Sequence, residues 1–122
     1  MGAPHYLIAT ATSSAVAFHM VAALEIYSEE MEQLVSMRLN MDRYQRVSEQ
    51  VGVIQRHCLA LPSFSVAGVE LLIAHSEVIY AVWRAQDLPV PMECDDVAGR
   101  WNDLLACIER MRRLSLNRLV RS

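Results

Sequence analysis

The chain has 122 residues, 53% hydrophobic and 20% charged, with a formal net charge of −3. That length holds one domain with a core and excludes two, and the composition is too apolar for a disordered chain and rather apolar for a small monomer. The charge excludes a global field favouring nucleic acid or anionic membrane.

Every basic side chain is arginine, a bias of the kind a GC-rich bacterial genome gives. It carries no mechanistic weight here. Cys58, Cys94 and Cys107 are widely spaced and odd in number, and no CxxC pair exists. This argues against a disulfide scaffold and for a reducing cytoplasm. No stretch reaches about 18 uninterrupted apolar residues, so no transmembrane helix is expected. The first residues lack the basic start of a secretory signal. Residues 1–13 are therefore expected to be an N-terminal arm, with an uncleaved Ser/Thr-rich export signal as the alternative.

After a short apolar run at residues 6–11, Thr12, Ser13 or Ser14 offers an N-cap. Met20, Leu24, Tyr27, Met31 and Leu34 then step by four and three, with Glu25, Glu29, Glu32 and Ser36 on the other side. The spacing predicts an amphipathic helix over residues 14–39. Asn40 or Asp42 can cap the next helix, predicted over 41–61. Its seam is Tyr44, Val47, Val51, Ile54, Cys58 and Leu61, a heptad-like pattern suited to antiparallel packing. Gly52 inside it costs about 1 kcal/mol against alanine, and either admits a close neighbour or is tolerated.

Residues 61–65 form a short loop, so the second and third helices should be antiparallel neighbours. The third helix is predicted over 64–85 and stops before Pro89 and Pro91. It is apolar on nearly all sides. Val66, Val69, Ile73, Ser76, Tyr80 and Trp83 make one stripe, expected to face the core. Ala67, Ala74 and Ala81 alternate with Glu70, Glu77 and Arg84 on the opposite face. Leu71, Val78 and Val82 flank that seam. A surface helix shows an apolar arc of a little over about 100°, and this arc is wider. The surplus calls for a second copy of the chain, approaching closely over the small alanines. The expected contact is Ala67, Leu71, Ala74, Val78, Ala81 and Val82.

Glu93, Asp95 and Asp96 open a fourth helix, predicted over 93–119, where the helix dipole favours negative charge. Its seam is Val97, Trp101, Leu104, Ile108 and Met111, then Leu114 or Ser115. Arg110, Arg112, Arg113, Arg118 and Arg121 gather at its end, where the dipole favours cations. Four helices joined by short loops give the expected fold, a single all-α domain over 1–122: an antiparallel up-down-up-down four-helix bundle that dimerises.

The chemistry-bearing residues form no motif. His5, His19, His57 and His75 match neither zinc-ligand spacing nor the paired Glu-x-x-His of di-iron bundles. His19 and His57, with Cys58, should lie toward one end as rim or partly buried groups. Cys94 sits at a helix start, but Asp95 and Asp96 oppose thiolate formation. Cys58 and Cys107 look like small core residues. Glu25 and Glu70 could share a depth, but pairing with surface arginines is the simpler reading. No nucleophile triad, phosphate-binding glycine loop or HExxH is present, so no catalytic residue, metal or cofactor is expected. No aromatic follows Trp101, which disfavours nucleic-acid binding by the arginine-rich end. Most methionines fall at seam spacing, and a filled core without a ligand-sized void is expected.

These observations point to a non-enzymatic, cytoplasmic helical-bundle module acting through self-association and protein–protein contact. Two alternatives remain. One is a sensor binding a small apolar ligand between helices. The other is nucleic-acid contact through the arginine-rich end of the fourth helix.

Overall fold

A computed structural model describes residues 5–121, with side chains over 13–120. Among the described residues the chain is all helix: α1 (His5–Ser36), α2 (Met41–Ala60), α3 (Ser65–Arg84) and α4 (Asp95–Arg121). Short 3-10 turns at Pro62–Phe64 and Pro91–Glu93 precede α3 and α4. Both turns begin on a proline, whose fixed φ suits a helical start. Asn40 caps α2: its side-chain oxygen accepts from the backbone N–H of Asp42 at 2.8 Å and of Arg43 at 3.3 Å. The helix α1 begins at His5, inside the stretch expected as an arm. No proline or glycine falls between His5 and Ser36, so neither breaks the helix. The remainder of the expected arm, residues 1–4, lies outside the described residues.

The helices pack as a bundle. α1 packs extensively against α2 and α4, and α3 against α4, while α2 and α3 touch sparingly. The interior is built from Met20, Leu24, Tyr27, Met31 and Leu34 of α1, Val47 and Ile54 of α2, and Val97, Trp101, Leu104, Ile108 and Met111 of α4. These are the seams that the spacing marks. At the end of the α4 seam, Ser115 is the buried residue and Leu114 is exposed. The Ser115 hydroxyl stays satisfied by donating to the Met111 carbonyl at 2.9 Å. That local bond is why a polar residue can occupy the core position.

The orientation of α3 differs from expectation. Ala67, Leu71, Ala74, Val78, Ala81 and Val82, expected to meet a second copy, are buried in the chain's own core. Val66, Val69, Ile73 and Tyr80, expected inside, point out. The helix is turned by about half a revolution. The cause lies in the alanines: side chains this small let α4 approach the α3 backbone. The Cys107 thiol of α4 reaches the Glu70 carbonyl of α3 at 3.8 Å. Glu70 and Glu77, at the edge of the seam, bond Arg110 and Arg100 of α4, the latter at 2.9 Å. These pairs are largely exposed, so solvent screens them and each adds little stability, but they match only one face of α3 to α4.

Candidate functional site

Among the described residues, the outward face of α3 is an apolar surface that the fold leaves uncovered. Val66 is 73% exposed, Val69 and Ile73 56% each, and Tyr80 65%. Trp83 is 36% exposed and Ser76 is exposed among them. At 1.5 Å rise per residue the stripe runs for about 25 Å, the full length of the helix. Isolated apolar residues on a surface are ordinary, but a contiguous apolar stripe on one helix marks a contact surface.

The stripe has structure at both ends. Near its C-terminal end, the Tyr44 ring of α2 meets Trp83 edge-on, with centroids 6.1 Å apart. The Arg84 guanidinium lies 5.6 Å from the centre of the Tyr80 ring. At an exposed site such a cation–π contact contributes about 0.5–1 kcal/mol. At the N-terminal end, a groove of about 660 Å³ opens between α2 and α3, lined by Gly52, Cys58, Leu59, Gly68, Val69 and Leu72 among others. Leu59 stands on its rim, 84% exposed. The groove exists because α2 and α3 pack sparingly and two of its residues have no side chain. A second groove of about 450 Å³ lies beside Tyr80, where Arg100 bridges Glu77 and Asp96. The Arg100 guanidinium is held further toward its charged form, first by Glu77 and then by Asp96. Both grooves are open to solvent.

Other sequence candidates are dispersed. His19 and His57 stack across α1 and α2, with centroids 6.3 Å apart and planes within 14°. The His57 pKa is lowered by burial, then by His19 and Arg56. His75 lies elsewhere: its Nδ1 is hydrogen-bonded to the Tyr27 hydroxyl at 2.7 Å, across the bundle from α1 to α3. The His5 side chain lies outside the described residues. Among the described residues no three His, Cys, Asp or Glu side chains converge as metal ligands would. Cys58, Cys94 and Cys107 are half-buried free thiols, and burial pushes the thiol pKa of Cys58 and Cys107 up, away from reactive thiolate. Glu70 pairs with Arg110 rather than with Glu25, and Arg112 and Arg113 both reach Glu109.

One described segment, Pro62–Arg84, is long and apolar enough to cross a membrane by length and composition. Part of that apolar character is core, and its two glutamates are tied to α4. The exposed face is hard to find from sequence because residue size is a poor mark of the core in α3. The available signal is charge register: Glu70 and Glu77 belong to the alanine face, and α4 carries arginines to meet them. No family model, curated protein or solved structure matches the chain.

Proposed function

We propose that the protein is a non-enzymatic helical module that acts by self-association, with the outward face of α3 as its contact surface. The carrying observation is the stripe Val66, Val69, Ile73, Tyr80 and Trp83, left at the surface after the core is filled. Covering a large aliphatic side chain contributes about 1.5–3 kcal/mol, so a partner gains from this face without any change in the bundle. The bundle itself we read as antiparallel, up-down-up-down. Contacts between opposite helix ends support that order: Glu30 with Arg46, His19 with His57, Glu70 with Arg110 and Glu77 with Arg100. Three free thiols support a reducing, cytoplasmic setting.

Light scattering tests the proposal. The natural chain should have twice its own mass at tens of micromolar, and Ile73→Arg should have the mass of one chain. A natural chain that stays monomeric across that range overturns self-association.

The α2–α3 groove favours a second reading, a small apolar ligand seated on Leu59, Val69 and Leu72. Its volume lies in the range of ligand sites, but it is open along one side, where such sites bury most of the ligand. A hydrophobic dye whose fluorescence rises in the natural chain and not in Gly52→Trp would favour it.

A further inference from the structure

The stripe on α3 can be read from either end. Positions 66, 69, 73, 76, 80 and 83 step by three, four, three, four and three, so a second copy laid antiparallel falls into register with it. We propose that two chains pair antiparallel through α3 about a two-fold axis between Ile73 and Ser76. Val66 then faces the partner's Trp83, Val69 faces the partner's Tyr80, and Ile73 faces the partner's Ser76. This rests on the self-association reading above and gives it a geometry.

Side-chain volume supports this register. Each facing pair sets a larger side chain against a smaller one, as interdigitating layers require. A parallel pair would set Trp83 on Trp83 and Tyr80 on Tyr80 at one end, and valine on valine at the other, so the helices would splay. The α2–α3 groove reaches the stripe at Val69, where the partner's Tyr80 would arrive. The protein thus carries an aromatic knob, with Arg84 over its ring, and a hollow beside the same face. A two-fold contact needs such self-complementarity. Antiparallel pairing also sets opposite ends of the two α3 dipoles side by side.

Area is consistent with a second copy. The exposed parts of the stripe amount to on the order of 600 Å² per chain, and Leu59 and Leu72 beside the groove bring this toward the roughly 800 Å² per partner of a standard interface. A lipid surface fits less well. Helices that lie on membranes carry lysine and arginine along their polar side, whereas α3 has Arg84 alone and two glutamates.

Cysteine cross-linking tests the register. In a chain with Cys58, Cys94 and Cys107 replaced by alanine, Val69→Cys and Tyr80→Cys are made as separate variants. Both positions are exposed, so folding should survive, as circular dichroism will check. Mild oxidation of the two variants mixed should give a disulfide-linked pair, at least fivefold more than either variant alone. Efficient linking of Val69→Cys to itself would overturn the antiparallel register. So would no linking at all while the natural chain is dimeric by light scattering; self-association would then stand without this geometry. A monomeric natural chain overturns both. Binding of the natural chain to phosphatidylcholine–phosphatidylserine vesicles, lost in Ile73→Arg, would assign the face to lipid and overturn the pairing.

Discussion

Tyr27 and His75 join α1 to α3 across the middle of the bundle. The tyrosine hydroxyl and the imidazole Nδ1 share one hydrogen bond, which a neutral histidine makes as acceptor in one tautomer and as donor in the other. Burial pushes the His75 pKa down to about 4 from its usual 6.5, and burial likewise pushes the Tyr27 pKa up, so both groups stay neutral near pH 7. The consequence for stability has a definite sign. Between pH 6.5 and 4 the unfolded chain takes up a proton that the folded chain refuses, so stability falls as pH falls. Above 6.5 the contribution is fully present, and below about 4 it has been lost. At about 1.4 kcal/mol for each pH unit of that interval, the loss from this residue approaches about 3.5 kcal/mol. Urea unfolding at pH 7.5 and pH 4.5 measures it. His75→Gln, which keeps a hydrogen-bonding side chain and cannot titrate, should lose about 2.5 kcal/mol less than the natural chain between those two conditions. Equal losses would show that His75 does not set the acid limb.

At the scale of the helix, two glycines separate tolerance from necessity. A methyl group added at Gly52 would meet nothing within 4 Å, whereas one at Gly68 would sit 2.7 Å from the Cys58 sulfur. Gly68 is thus where α3 comes close to the end of α2, and Gly52 is an uncompensated helix defect. Gly52→Ala should stabilise by about 0.5–1 kcal/mol. Gly68→Ala should destabilise by about 1–3 kcal/mol as the site is overpacked. Chemical denaturation of both variants checks the pair of signs. The same contrast shows what the amino-acid sequence reveals and what it hides. The seams of α1, α2 and α4 are legible because charged residues border them and leave one choice of inner face. In α3 every face is apolar, so periodicity alone allows two orientations. Side-chain size argues for Tyr80 and Trp83 inside. Close approach of α4 over Ala67, Ala74 and Ala81, with glutamates at the seam's edge, decides the other way. Those alanines do admit a close helix, but the helix is α4 of the same chain. The groove between α2 and α3 is not legible, because it reflects how far apart two helices settle.

At the scale of the whole molecule, the proposed self-association would be linked to folding stability. The core of Met20, Tyr27, Met31, Leu71, Trp101 and Met111 lies within one chain, so a single chain can fold alone. If a second copy covers α3, association adds to that stability by mass action, since the unfolded chain has no such face. The gain is about 2.7 kcal/mol when the protein concentration is a hundredfold above the dissociation constant. For a domain of this length each kcal/mol moves the melting temperature by roughly 3–6 °C. With a dissociation constant in the micromolar range, the weak end for an interface of this size, the rise should fall between about 1 and 200 μM protein. The melting temperature of the natural chain should climb by several degrees over that range. Ile73→Arg replaces a side chain that lies half outside the fold, so it should melt close to the natural chain at the lowest concentration and fail to climb. The comparison separates a contact from a core residue. Damage to the core would lower the melting temperature at every concentration, whereas loss of the contact lowers it only where dimers form. A natural chain whose melting temperature is flat over the whole range would show that the outward face of α3 is not covered by a second copy.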